Sequence, residues 1–217
     1  MDENSCAGES NVATEHLLTS KPENLRWGAF SSEFEPVLEV ESGDRVTIET
    51  ISGGPDQLPD GARENLLPDH EAFIASNKPI LPGHIMTGPV AVKGAEPGDV
   101  LAVRIIDVKL RQDWAWNMMM PLKGALPEDF PVRRVINIPL DRDSMVATLP
   151  WGVELPCNPF FGVMGVSPPP EWGPITSIVP QPHGGNLDIK ELGPGSTLYL
   201  PVFVPGANFQ TGDGHAL

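Results

Sequence analysis

A chain of 217 residues is long enough for one large domain with a sizeable core. Its longest apolar runs, such as 198–204 with its internal Pro201, are far too short to cross a bilayer, so no membrane partner is expected. The net charge of −15, with 16 acidic against 5 basic side chains in residues 1–80 and 13 against 9 beyond, leaves no Lys/Arg cluster to release counterions from a phosphate backbone, which argues against nucleic acid.

Residues 1–16 read as an acidic, polar N-terminal tail. It opens Met1-Asp2-Glu3-Asn4-Ser5-Cys6, without the basic start or apolar stretch of a secretory signal, so the expected location is cytoplasmic. Cys6 and Cys157 are the two cysteines, too few for a disulfide framework, and reduced thiols are expected. His16 in the leader and His70 between Asp69 and Glu71 read as solvated, structural histidines.

The 22 glycines and 25 prolines lie in turn-like contexts, and helical periodicity is scarce, which points to a mainly β fold. A turn-plus-strand phrase recurs. Glu41-Ser42-Gly43-Asp44 leads into Arg45-Val46-Thr47-Ile48-Glu49, Glu96-Pro97-Gly98-Asp99 into Val100-Leu101-Ala102-Val103-Arg104, and Leu192-Gly193-Pro194-Gly195, more loosely, into Ser196-Thr197-Leu198-Tyr199-Leu200. Pro fixes φ at one corner, Gly supplies φ > 0 at the next, and apolar alternation suits a half-buried strand. The expected core is a β-sandwich or jelly roll with long loops and few short helices. Residues 52–82 and 112–131 read as the long loops, the first with a short helix near 69–76. The second is unusually apolar through Trp114, Trp116 and Met118-Met119-Met120, and is the expected cover of a pocket or contact with another subunit.

Chemistry-bearing groups crowd toward the C-terminus. Gly184-Gly185-Asn186-Leu187-Asp188 and Gly212-Asp213-Gly214-His215 flank the strand-like run 196–204, and Pro82-Gly83-His84 sets an imidazole in backbone shaped by Gly and Pro. His183, just before Gly184, is expected close to a carboxylate. His84, Asp188 and His215 offer two nitrogens and one oxygen for a divalent metal such as zinc or calcium, which would generate hydroxide near neutral pH. No regular ligand spacing supports that set, and the same groups could cap turns and bind backbone amides instead. A Gly-x-Ser-x-Gly elbow is absent, and neither Ser167 nor Ser177 has one around it. Cys157 reads as a buried, inert thiol.

These motifs, together with Pro36-Val37-Leu38, Thr87-Gly88-Pro89, Gly94-Ala95, Pro159-Phe160-Phe161-Gly162-Val163-Met164-Gly165-Val166 and Leu198-Tyr199-Leu200-Pro201-Val202, make the chain from about Leu17 onward resemble the acetamidase/formamidase family. The resemblance implies hydrolysis of a short linear amide to a carboxylate and ammonia by a cytoplasmic, β-rich homo-oligomer. It implies a catalytic site at His84, Asp188, Asp213 and His215, with Gly185 and Asn186 of the same motif as candidate substrate contacts. Family members continue past the histidine motif into an acidic Gln-Gly-Asp-Gly-Glu segment, so residues 17–217 are expected to lack a C-terminal portion. The alternative is a truncated, catalytically silent homologue acting as a binding or oligomer-interaction module.

Overall fold

The computed structural model describes residues 13–217, apart from the side chains of Ala62 and Arg63; Cys6 and the acidic start lie outside it. Among the described residues the chain forms sixteen strands and one α-helix, Pro68–Ser76, so the mainly β expectation is borne out. No helix there is long and apolar enough to cross a membrane.

The local chemistry of the turns shows why the strands start where they do. In the first phrase the Asp44 carboxylate accepts from the Glu41 N–H at 3.0 Å, the Asp44 N–H donates back to the Glu41 carbonyl, and Gly43 takes φ +96°. The second phrase repeats this, with the Asp99 carboxylate accepting from the Glu96 N–H at 2.9 Å and Gly98 at φ +101°. Each turn thus satisfies its own backbone groups before launching a strand, Arg45–Ile48 and Val100–Arg104. The third phrase launches Thr197–Pro201, which pairs antiparallel with Val100–Arg104 and sets Leu200 against Leu101. His16 keeps a structural role in the strand Glu15–Leu18, with Nε2 3.0 Å from Asp44.

The central sheet orders Gly184–Asn186, Phe160–Gly165, Phe209–His215, Ile85–Val92 and Leu25–Trp27, and Leu38–Val40 adds in parallel to the far end of Ile85–Val92. Ile85 through Ala91 are all buried, as expected of a strand covered on both faces. Met164, Val166, Leu200, Val202 and Phe209 form the largest core cluster, while Phe30, Met86 and Val163 pack elsewhere on the sheet.

Two expectations are corrected. The apolar segment at 112–131 is not all loop: Trp114–Met119 is a strand paired antiparallel with Arg134–Asp141, in a four-stranded sheet completed by Val146–Thr148 and Glu154–Pro156. Its partner alternates strictly, burying Ile136, Ile138 and Leu140, and Ala115 and Met119 pack onto that face. His70 is not solvated. It is 1% exposed, on the helix that packs Phe73 against Trp27, and its Nε2 lies 2.8 Å from the Gly53 carbonyl.

His183 also departs from expectation. Among the described residues it meets no carboxylate and neither ring nitrogen is partnered; it is fully buried, edge-on to Phe30 at 5.1 Å. Burial pushes its pKa down to about 4. The unfolded chain protonates near the ordinary value of about 6.5, so between the two the unfolded state binds more protons and stability falls with falling pH, by about 3 kcal/mol in total. His183→Leu is expected to flatten this part of the profile, read as the difference in urea midpoint between pH 7 and pH 4.5. An unchanged difference would show that His183 does not carry it.

Candidate active site

Three elements bring the site together. Asp213 and His215 lie two apart on the strand Phe209–His215, and Asp188 follows the strand Gly184–Asn186 on the other side of Phe160–Gly165. The ligand atoms of Asp188, Asp213 and His215 all lie within 4.8 Å of one another. Nε2 of His215 is 3.2 Å from Asp213 Oδ2 and 3.4 Å from Asp188 Oδ1, and the ring stacks on Phe160 at 4.7 Å between centroids.

The floor beneath these groups is Gly162. A Cβ there would stand 2.6 Å from Asp188 Oδ1, 2.7 Å from His215 Nε2 and 2.8 Å from Asp213 Oδ2. The Gly162 carbonyl also accepts both the Leu187 and Asp188 N–H groups, at 2.8 and 3.2 Å, and so fixes the turn that presents Asp188. Asp188 and Asp213 both take left-handed backbone, φ +49° and +53°, a conformation that Asp tolerates better than most side chains do.

His84 stands beside this triad. Its Nε2 is 3.6 Å from Asp213 Oδ2, and its Nδ1 is 3.1 Å from Ser177 Oγ. Of the metal set expected from the sequence, Asp188 and His215 converge, while Asp213 takes the place given to His84. Ser177 is fully buried, which bars it from acting as a nucleophile. Beside His84 and Asp213 lies a cavity of about 20 Å³, walled by the indoles of Trp27 and Trp116 with Gly53 and Gln57. The strand Trp114–Met119 thus places Trp116 in the cavity lining. His70, by holding the Gly53 carbonyl, braces the wall at Gly53, which lies against the Trp116 indole. Gly185 is buried beneath Val179 and Pro180, and Asn186 meets the cluster only by donating from Nδ2 to Asp188 Oδ2 at 2.8 Å. Neither lines the cavity.

The electrostatics divide the groups. Burial pushes the Asp213 carboxyl up, but the His215 hydrogen bond and the His84 and His215 charges outweigh it and hold the group below the usual carboxylate range. The hydrogen bond from Asp213 raises His215 against the effect of burial, with further help from the Asp213 and Asp188 charges. Partial burial pushes the Cys157 thiol up, in keeping with an inert cysteine.

Gly162 and Trp27 are participants that residue chemistry does not flag, and Ser177, weighed only as a nucleophile, enters instead as the partner of His84. Gly162 does carry a readable signal, a glycine inside an apolar strand run, which marks a close approach.

The sequence profile of the acetamidase/formamidase family matches residues 18–176 and 174–217. The formamidase of Methylophilus methylotrophus is 27% identical over 61% of this chain and 45% of its own length. Among solved structures, an acetamidase from Bacillus halodurans superposes with a TM-score of 0.74 at 33% identity, covering 93% of this chain and 62% of the other. A predicted acetamidase/formamidase from Thermoanaerobacter tengcongensis superposes with a TM-score of 0.77 at 27% identity, covering 95% of this chain and 62% of the other. The chain spans about half the length of the curated relatives it matches.

Proposed function

Starting from the fact that the chain belongs to the acetamidase/formamidase family, we propose that it hydrolyses the carbon–nitrogen bond of a short linear amide, formamide or acetamide in type, to a carboxylate and ammonia. The observation that carries this reading is the convergence of Asp188, Asp213 and His215 over the bare Cα of Gly162. The silent-homologue alternative is not favoured, because the four groups that the resemblance implies are all present and drawn together.

Asp213, ionised at neutral pH by the balance of charges around it, is the group placed to take a proton from water. His215, whose proton is held more tightly than in a free imidazole, can return one to the departing nitrogen. His84 and Asp213 both line the small cavity in which the amide is placed, and Trp27 and Trp116 wall it together with the polar side chains of Ser52 and Gln57.

Two carboxylate oxygens and one imidazole nitrogen over a cradle that a methyl group would fill also fit a divalent cation, zinc better than calcium, which asks for six or more oxygens. Asp188, Asp213 and His215 would hold such an ion, which would supply Lewis acidity to lower the pKa of water toward about 7. The same reading makes the protein a cytoplasmic homo-oligomer, consistent with the exposed apolar side chains of Leu122, Trp151 and Tyr199.

The test is ammonia release from formamide and acetamide by the purified chain, before and after dialysis against a chelator. Release that disappears on chelation and returns with zinc supports the metal form. Release that survives chelation places the proton work on Asp213 and His215 alone. No release from either amide, in metal-loaded protein, overturns the assignment.

A further inference from the structure

We propose that Ser177 is a positioning residue that holds His84 as the tautomer protonated on Nε2, so that His84 acts in the site as a hydrogen-bond donor and not as a proton acceptor. The hydrogen-bond accounting around one hydroxyl carries this. Ser177 Oγ accepts the backbone N–H of His84 at 2.8 Å, which occupies a lone pair. The hydroxyl proton must then find an acceptor. Ser177 is fully buried, so water does not serve. Within reach of Oγ, the only other partner among the described residues is His84 Nδ1, at 3.1 Å. A proton on Nδ1 would leave the serine proton buried with no acceptor, an arrangement folded proteins avoid. The hydroxyl therefore donates to Nδ1, and the ring proton sits on Nε2, toward Asp213 Oδ2.

The backbone leaves the hydroxyl little choice of place. The Ser177 N–H donates to the Gly28 carbonyl at 2.9 Å, and the Gly28 N–H donates to the His84 carbonyl at 2.8 Å, so one residue ties both partners. A Cβ at Gly28 would overlap the Leu81 carbonyl, and one at Gly83 would lie 2.4 Å from Ser177 Oγ and 2.8 Å from the Gly28 carbonyl. Three segments far apart in sequence meet here at a separation that only glycine permits.

The chemical consequence rests on the amide-hydrolase reading; the tautomer does not. A donor fixed at Nε2 on the cavity side suits a carbonyl oxygen that gains negative charge during attack. Proton acceptance then falls to Asp213, whose Oδ2 lies 3.6 Å from that nitrogen.

The experiment is a two-bond proton–nitrogen correlation of the histidine rings in uniformly ¹⁵N-labelled protein, at alkaline pH where the ring is neutral, with His84 assigned by the signal lost in His84→Asn. The expected spectrum shows a protonated Nε2 and a bare Nδ1. In Ser177→Ala the pattern should move toward a mixture of tautomers, and kcat for formamide should fall roughly 10²-fold while KM changes little. A proton on Nδ1 in the unaltered protein, or an unaltered ring pattern in a folded Ser177→Ala protein, overturns the proposal. Should the chain release no ammonia, the amide-hydrolase reading fails and the ring spectrum still decides the tautomer.

Discussion

Replacing Gly162 with alanine is expected to lower amide hydrolysis by at least about 10²-fold while leaving the fold in place. The added methyl would meet three atoms at once, Asp188 Oδ1, His215 Nε2 and Asp213 Oδ2, all under 3 Å. Each is the end of a side chain, so the sheet itself can persist, and Gly162 takes no left-handed backbone that alanine would refuse. What gives way is the convergence of the three groups. A displacement of about 1 Å in catalytic groups costs on the order of 10²-fold in rate, and here three move together. Ammonia release should fall by at least that factor, and zinc titration should show weakened binding, with the far-UV spectrum and thermal midpoint near those of the unaltered protein. Retention of activity within a few-fold would remove Gly162 from the floor of the site, and with it the proposed role of the triad.

Asp213→Asn should lower the rate by about 10² to 10⁴, because it removes the one carboxylate shared by His84 and His215. Asparagine is the informative substitution. It keeps the shape, and it tolerates the φ of +53° at this position, so loss of charge is the main change. The same variant makes a claim about stability. Asp213 is held below its ordinary value near 3.8, so its contribution is present above that pH and lost as pH falls through the folded value. His215 is held above its ordinary value near 6.5, so its contribution is complete below that pH and lost as pH rises through the folded value. The pair therefore works fully between about pH 4 and 6.5. The gap in urea midpoint between the variant and the unaltered protein should be widest near pH 5.5 and narrower at pH 9. A gap independent of pH would mean that the interaction is not one of charges.

The strands that follow the turns at 41–44 and 96–99 are legible in the sequence because their signal is local: a carboxylate, a glycine and two backbone amides settle the turn among themselves. The helix Pro68–Ser76 is legible for a similar reason, with Pro at its first position and Asp69 and Glu71 in its first turn. The strand Trp114–Met119 is not, because its apolar residues do not alternate with polar ones and its course is set by the clean alternation of Arg134–Asp141 some twenty residues later. In the site, the identities of Asp188, Asp213, His215 and His84 are legible from residue type and motif. Which three converge is not. That depends on Phe160–Gly165 lying between the other two strands, which sets Gly162 alongside Asp213. The burial of His70 and His183 is hidden for the same reason: flanking acids and glycines say nothing of what a helix or sheet later covers.

The strand order of the central sheet bears on how the molecule reaches its working form. Neighbours in that sheet come from residues 25–27, 85–92, 160–165, 184–186 and 209–215, so the site is closed only by contacts between distant parts of the chain. Such contacts form slowly, since loop-closure entropy must be met before they give anything back, whereas Pro68–Ser76 can form early. A slip of one position between Phe160–Gly165 and Phe209–His215 would turn Asp213 and His215 to the opposite face from Asp188. A misregistered chain is then inactive, not weakly active. On dilution from denaturant, regained ammonia release should trail the far-UV signal, and its amplitude counts the molecules whose sheet is in register.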